Sequence, residues 1–570
     1  MNRVRQISLF VLLILVFVPM LWIAKGGTDF DRYMYWGLVF KYADIFQLRS
    51  STLTPSHIPH SQWSFGPGLI FSIGLFFDSL KGAIYVGWLF NTVFWVTYGG
   101  VLRKVTGDRK GLVLLGLLLT FIGTPIGYYS SNYSSESLSY ACLSAAAYWL
   151  LTSRNGRPRA SDHLIVGICL SLLIAIRPQL LVYCLPLLGL IYYDLYRAHR
   201  TAGLNGMNFA ACLFASHTPL VLSVIATGIV NYWMTGSPLS SPYLYSHGSF
   251  RSMEWLDPEF LAILLNPFHG LLVYHPLYLV AFISLIALAF RVEDRTVKLG
   301  LVLLALSILA HLYIHAAWFW WWLADSFGMR GVSIAAIFLV PVFLHLLVRL
   351  KNSGVFYYLL LLAATLSACW SFTLLLQPEA ICLDLDGIGF VVNKSLDFVG
   401  KNPFISFVVL CISLFSSLFV SFSNRVERVI VVLLTTLFCF YLAFNISTIR
   451  QYSMPVIYLV MFGVVTGVTV LLHADVAYLK KGFYFFLVML YGTCLALFIR
   501  TGITTFDLIR NKSIDTASFK YISAIDPDLI SVCYNQYLDI PGFEEKKRRL
   551  REFRDHVNRS FGNPGYGGDR

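Results

Sequence analysis

Residues 298–330 read KLGLVLLALSILAHLYIHAAWFWWWLADSFGMR. Between Lys298 and Asp325 no Asp, Glu, Lys or Arg interrupts the run. About 18 apolar residues are enough for a helix to cross the hydrocarbon core of a bilayer. A helix that is apolar on every side over such a length is either enclosed in a large protein or spans a membrane. The stretch then changes character. The aromatic segment from Trp318 to Trp322 passes into a short turn holding Asp325, Ser326, Gly328 and Arg330. Tryptophan collects where a spanning helix leaves the hydrocarbon. The segment reads as a membrane helix and its emergence, which sets the class of the whole chain.

The same pattern recurs in both directions. Apolar runs between charged punctuation give about fifteen candidate spans by the length rule. They lie near 7–24, 82–102, 110–128, 136–152, 163–176, 180–196, 207–230, 271–290, 298–316, 331–349, 355–376, 404–423, 428–446, 452–472 and 482–499. The run 66–77 is too short to span and is expected to be re-entrant or interfacial. The expected fold class is an all-α polytopic membrane protein with about 13–15 transmembrane helices. Composition agrees. Of 570 residues, 57% are hydrophobic, 16% aromatic and only 13% charged, where a soluble domain carries about 25% charged residues. The mean hydropathy is +0.68. A cytosolic enzyme, a disordered chain and a DNA-binding domain are excluded. The 10 cysteines show no paired or metal-ligand spacing. Most lie in apolar runs (Cys142, Cys169, Cys184, Cys212, Cys411, Cys439), where Cys behaves as a small hydrophobe.

Charge assigns the sides. The net charge is +13, which in a soluble protein would suggest nucleic acid. Here the basic residues collect in short loops on one side: Arg3 and Arg5, Arg103 to Lys110, Arg154 to Arg159, Arg197 and Arg200, Arg291 to Lys298, Arg349 and Lys351, Arg425 and Arg428, Lys480 and Lys481. Such loops face the cytoplasm, so no nucleic-acid partner is expected. Residues 1–24 carry the basic start of a signal peptide, but Lys25-Gly26-Gly27 follows and no small-residue cleavage site does. An uncleaved first span is expected. The transmembrane domain is expected over 1–499, with outer loops 25–65, 231–270, 317–330 and 377–403. The tail 500–570 is expected to be extracytoplasmic, with helix-like stretches such as Pro541–Arg559 and a disordered Gly-rich end. Polar material thus concentrates on the outer face, which for a bacterial inner or plasma membrane is periplasmic or extracellular. No P-loop or dinucleotide fingerprint occurs, which argues against an ATP-driven pump.

Several outer-side residues could carry chemistry. Asp29 and Asp31, in Thr28-Asp29-Phe30-Asp31-Arg32, sit just beyond the first span. Acids at that depth are costly unless they face a cavity or partner. They suit a general base or a divalent-cation ligand, or form a solvated interfacial pair. Glu136 opens a helix after Ser134-Ser135, where it complements the helix dipole or lines a cavity beside Asp29. Arg177-Pro178 breaks an apolar stretch. A buried Arg needs an anion, and its planar fork matches phosphate, unless it snorkels to headgroups. His269 and His275, in Pro267-Phe268-His269-Gly270 to His275-Pro276, mark a turn at the interface and suit a phosphate, a metal or a plain polar anchor. His311 and His315 share a helix face, but no HExxH acid accompanies them. Trp321 and Trp322 either belong to an aromatic belt or, beside Asp325 and Arg330, stack on a sugar ring and bind its hydroxyls.

Four of these features, in this order, resemble the GT-C superfamily of membrane glycosyltransferases. The likeness is to the bacterial branch related to protein O-mannosyltransferases and aminoarabinose transferases. They are the acid pair Asp29/Asp31 in the first outer loop, the Arg177-Pro178 step between two short spans, the stretch Phe268–Pro276 (P-x-x-G-L-x-x-Y-x-P), and the loop Trp320–Arg330 (W-W-x-x-x-S-F-G-x-R). They cover roughly residues 7–350. The resemblance implies a polyprenyl-phosphate-linked sugar donor, a lipid, glycan or protein acceptor, and an inverting transfer on the outer face. It implies Asp29 as base, with Asp31 assisting or holding a divalent cation, and Arg177 and Arg330 as partners of the donor phosphate. Glu136, His269, Trp321, Trp322 and Asp325 are then expected to bind substrate. No other cofactor is expected.

Two other functions compete. A transporter or flippase for a lipid-linked sugar would place polar or broken helices at the bilayer midplane, often in two related halves; here the acids and aromatics cluster at outer ends. An O-antigen ligase or polymerase would use a large outer loop rich in Arg or His, whereas 231–270 carries Arg251 as its one Arg or Lys.

Overall fold

The chain folds as helices, each running between the breaks that charge, Pro and Gly place in the sequence. The structure is a computed structural model and describes residues 25–26, 30–45, 48, 61, 63–77, 80–130, 132–153, 158–201, 205–242, 253–266, 270–318, 328–351, 354–375, 425–448 and 480–510. In chain order the elements are β1 (Lys25–Gly26), α1 (Phe30–Tyr42), α2 (Phe65–Phe77), α3 (Leu80–Thr106), α4 (Lys110–Gly123), α5 (Ile126–Ser130), β2 (Asn132–Tyr133), α6 (Ser135–Ser153) and α7 (Ala160–Ile176). They continue with α8 (Leu181–Thr201), α9 (Gly206–Thr235), α10 (Phe260–Leu265), α11 (Leu271–Tyr274), α12 (Leu277–Arg291) and α13 (Arg295–Ala316). The last are α14 (Ala336–Leu350), α15 (Val355–Leu375), α16 (Arg425–Thr448) and α17 (Lys480–Arg510). All lie in one unit, Met1–Ile514; a second, Asp515–Arg570, lies outside the described residues. The tail expected over 500–570 therefore falls mostly outside them, as do the expected spans 7–24, 404–423 and 452–472.

Among the described residues, six helical segments are long and apolar enough to cross a membrane: Pro178–Thr201, Gly206–Thr235, Arg295–Ala316, Arg330–Leu350, Val355–Phe372 and Phe485–Phe506. Shorter apolar helices are α2, α4, α7 and α12. The protein is an all-α polytopic membrane protein. The six segments differ in surroundings. The apolar window of Arg330–Leu350 is 78% buried, whereas that of α9 is 28% buried. The first runs through the protein interior; the second keeps a broad apolar face free of protein, as a lipid-facing helix does. Around α14 pack α3, α4 and α12, and α6 packs between α3 and α7. Both α4 and the first four turns of α6 are buried on all sides.

Close approach between α1 and α2 depends on glycine. A Cβ on Gly68 would stand 2.2 Å from Trp36 Cβ and 2.7 Å from the Tyr33 carbonyl. Small residues allow such contact between membrane helices, where van der Waals packing replaces the hydrophobic drive.

Two expected spans differ. The run 110–128 breaks at Thr124-Pro125 into α4 and α5. The run 271–290 is not a single helix but α11, a break at His275-Pro276, and α12. Proline lacks an N–H and disfavours helical geometry in the residue before it. The freed carbonyls find donors on α15. Trp370 Nε1 donates to Val273 O at 2.7 Å and Ser371 Oγ to Tyr274 O at 2.9 Å. Irregular backbone at membrane depth requires such partners. The Arg177-Pro178 break is treated likewise, the Ser64 hydroxyl donating to the Ile176 carbonyl.

Candidate functional site

Three interruptions of the helix pattern meet at one place. The first is the start of α6. Strand β1 pairs in parallel with β2, Lys25 opposite Asn132 and Gly26 opposite Tyr133, so the start of the first loop lies beside the turn that begins α6. The second is Arg177, extended at φ −148° and ψ 97° between α7 and the 3-10 turn Pro178–Leu180; Pro178 enforces that geometry. The third is Arg330, which opens the 3-10 turn Arg330–Ala335 leading into α14. It follows Gly328, held at φ +55°, where L-residues with a side chain are strained.

Glu136 lies where the three meet. Arg177 Nη2 donates to Glu136 Oε1, and Arg330 Nε stands 3.7 Å from the same oxygen. The Glu136 side chain is 1% exposed, that of Arg177 11% and that of Arg330 14%. A carboxylate so enclosed is costly unless paired, and two guanidiniums flank it. Ser135 joins the parts. Its hydroxyl accepts from Arg177 Nε at 3.0 Å and from Tyr33 OH at 2.9 Å, and donates to Glu136 Oε2 at 3.3 Å. One hydroxyl supplies one donor and two lone pairs, so Ser135 is fully used. Tyr33 belongs to α1, which ties that helix to the cluster.

The Arg330 turn is anchored separately. Ser333 Oγ donates back to Arg330 O at 2.6 Å and pairs with Tyr140 OH at 2.5 Å; Tyr278 OH donates to Ser333 O at 2.8 Å. Because the Ser333 proton is committed to Arg330 O, the Tyr140 hydroxyl is the donor to Ser333. A Cβ on Gly328 would stand 2.8 Å from His275 Nε2, so the residue before Met329 packs on the His275 ring.

Beside the charged cluster lie His311 and His315, both buried. Tyr183 OH bonds His311 Nδ1 at 3.0 Å, and the two imidazoles meet edge to face at 4.8 Å between centroids. His315 is within electrostatic range of Arg177, Arg330 and Glu136. Among the described residues, no group of three or more His, Cys, Asp or Glu could hold a metal ion. One wall is fastened by the loop 253–259, whose Glu254 and Glu259 amides donate to Ala317 O at 2.7 Å and Ala316 O at 2.9 Å. Trp255 stacks on Tyr313 at 5.7 Å.

Of the residues expected to act, the structure brings Glu136, Arg177 and Arg330 into contact. Asp29, His269, Trp321, Trp322 and Asp325 lie outside the described residues. Asp31 lies in the first turn of α1, with its side chain outside them. The described residues flanking Asp29 and Asp31 in sequence, Gly26 and Tyr33, contact Tyr133 and Ser135. Sequence reasoning did not single out Tyr33, Tyr140 or Ser333. Neutral hydroxyls among apolar residues carry no local signal.

No family model matches the chain, and no curated protein sequence matches it. Among solved structures it is similar to the crystal structure of ArnT from Cupriavidus metallidurans bound to undecaprenyl phosphate. The identity is 13%, over 81% of this chain and 75% of that one, with a TM-score of 0.38. The apo state of the same ArnT matches at 12% identity over 83% and 77%, with a TM-score of 0.37.

Proposed function

We propose that the protein is a membrane glycosyltransferase of GT-C type, moving a sugar from a polyprenyl-phosphate donor to a lipid, glycan or protein acceptor at the outer face. The observation that carries this reading is the convergence of Arg177 and Arg330 on one enclosed point. Two guanidiniums held there, by a proline break and a glycine turn, form an anion site within apolar surroundings. A lipid phosphate presents its charge at the same kind of boundary, with its tail in the hydrocarbon.

In this reading an acceptor hydroxyl or amine attacks the anomeric carbon of the donor sugar. The bond from that carbon to the phosphate oxygen breaks, and polyprenyl phosphate leaves with the bonding electrons. The acceptor proton passes to Asp29, with inversion at the sugar. Asp31 assists or holds a divalent cation. Arg177 and Arg330 stabilise the phosphate as its charge grows, which is the largest contribution such a site makes. Trp321, Trp322, Asp325, His269 and Glu136 surround the sugar and acceptor. The pinning of Gly26 and Tyr33 to the Glu136 turn supports a base drawn from residues 29–31.

The test compares the lipids and surface glycans of a deletion strain by mass spectrometry, with complementation by wild type, Asp29→Asn and Asp31→Asn. Wild type is expected to restore a species heavier by one sugar, and Asp29→Asn to restore none at equal membrane abundance. Full restoration by both variants would refute the base. A strain whose lipids and glycans all keep their masses would refute the transfer.

A further inference from the structure

We propose that the groove between α9 and α17 lodges the isoprenoid tail of the lipid donor. The inference rests on the reading of the protein as a transferase with a polyprenyl-phosphate donor. It adds the place where the chain, rather than the phosphate, is recognised.

The groove has a volume of about 820 Å³, within the range of ligand pockets, roughly 300–1,000 Å³. Ile225 and Ile229 of α9 form one wall, Ile499 and Ile503 of α17 the other. Trp233 and Phe498, both buried, stack at 6.2 Å as its floor. Glycine keeps it open. Among the described residues, a Cβ on Gly502 would meet the Trp233 ring at 3.6 Å, and one on Gly228 would meet Pro238 at 3.7 Å. These are ordinary contacts, so neither glycine serves close helix packing as Gly68 does. Their missing side chains leave room in the groove instead.

One end is closed. Tyr491 OH of α17 donates to Pro219 O of α9 at 3.3 Å and accepts from Ser171 Oγ of α7 at 3.4 Å. The groove begins about two turns further along both helices. A chain therefore enters from the other end, which this reading places at the outer face.

The groove is continuous with the charged cluster. Helices α7 and α9 run side by side in one direction: Gly167 lies against Ser216, and Ser223 Oγ donates to Ser171 O at 2.7 Å. Arg177 follows Ser171 by six residues, as Ile229 follows Ser223, so Arg177 stands level with the groove. Phe65 lies between the two. Its ring is 5.4 Å from that of Phe498, and the hydroxyl of the neighbouring Ser64 donates to Ile176 O, next to Arg177. A lipid with its phosphate at Arg177 has the groove one aromatic layer away.

The shape suits an isoprenoid better than an acyl chain. Every isoprene unit carries a methyl branch and a double bond that does not rotate. Such a chain fills a wide groove and gives up less freedom on entering a fixed one. Within a bilayer a tail gains no hydrophobic drive by binding, so packing decides.

The experiment places photoreactive benzoylphenylalanine at Phe506, which lines the groove, in the full-length protein in phosphatidylcholine vesicles. Leu309, on the exposed side of α13, carries the same group as a control. Radiolabelled undecaprenyl phosphate is expected to attach several-fold more at the Phe506 position than at Leu309. Gly502→Leu should lower both that labelling and the binding of undecaprenyl phosphate about threefold to tenfold, because the displaced tail loses packing but stays in lipid. Phosphatidic acid, which offers a phosphate on straight chains, should leave the label in place at equal excess. Displacement by phosphatidic acid as effective as by unlabelled undecaprenyl phosphate overturns the isoprenoid assignment. Equal labelling at the two positions, or labelling and binding unchanged by Gly502→Leu, overturns the groove and leaves the donor reading intact. Should Gly502→Leu fail to fold, Gly228→Leu fills the groove from the opposite helix, with the same expectation and the same refutation. Wild type that binds undecaprenyl phosphate no better than undecaprenol overturns the donor reading, and this inference with it.

Discussion

Replacing Arg177 by Met removes a charge of matched length from an enclosed pair, and the structure sets the scale of the loss. Arg177 donates to Glu136 and, at 3.0 Å, to Ser135. After the substitution, Glu136 retains Ser135 Oγ at 3.3 Å and Arg330 at 3.7 Å. Two estimates compete. Neutral side-chain hydrogen bonds between membrane helices average only about 0.6 kcal/mol, since the unfolded chain finds other partners in the membrane. An unpaired buried charge is a different matter: breaking a buried ion pair costs about 3–5 kcal/mol. The Glu136 side chain is 1% exposed, but Arg330 stays as its ion partner, so the cost is about 3 kcal/mol, the lower end of that range. The unfolding equilibrium should therefore shift by roughly two orders of magnitude. Reversible unfolding in mixed detergent micelles measures it. The double variant Arg177→Met with Glu136→Gln provides the internal check. It removes the stranded carboxylate, so it should recover about 1–3 kcal/mol of the loss. A cost below about 1 kcal/mol, the value of a solvated pair, would refute the enclosed-pair account. So would a double variant as unstable as the sum of its singles.

Two further predictions concern what surrounds the cluster. Gly328→Ala combines a positive φ with a Cβ 2.8 Å from His275 Nε2. It should cost about 1–3 kcal/mol and lower transfer activity by displacing the Arg330 turn, readable as a lower melting temperature together with reduced turnover. Glu259 lies in the loop fastened to the end of α13. Burial, then the nearby Asp257 and Glu254 carboxylates, raise its carboxyl above the ordinary value. A raised folded-state value means that its contribution is fully present below the unfolded value and fades as pH rises through the folded one. Amide exchange at Glu254 and Glu259 should therefore be slower at pH 4 than at pH 8 after correction for intrinsic rates, and Glu259→Gln should remove that difference.

The membrane class was readable because spanning helices need long apolar runs, and those runs are visible in any window. The break at Pro178 was readable because Arg177 interrupts the apolar stretch. The breaks at Pro125 and Pro276 inside the spans 110–128 and 271–290 were not, although Pro276 closes a stretch that marks a turn at the interface, because apolar residues flank both. Glu136, Arg177 and Arg330 each attracted notice as charges where charge is expensive. Their mutual pairing had no sequence signature: they come from α6, the α7–α8 break and the start of α14, and no local period links such distant positions. The anchors of the cluster were still less visible. Tyr140 and Ser333 act through a hydrogen bond between hydroxyls in otherwise apolar segments, and only the packing of α6 on the Arg330 turn reveals it.

The location of all three charges at element ends has a physical cause. Inside a membrane helix every backbone group is satisfied within the helix, so an interior charge must bring its own partner into hydrocarbon. At an end, backbone groups are open and the chain direction can change. Glu136 stands in the first turn of α6, where the helix dipole favours an anion. Arg177 caps α7, its own amide donating to Leu173 O at 2.9 Å while its side chain turns away toward Glu136. Arg330 begins a 3-10 turn whose Ser333 closes back on its carbonyl. Each charge is therefore placed by backbone already committed to turning, at little added cost to the helices. The cluster thus places no charge beyond the first turn of a membrane helix.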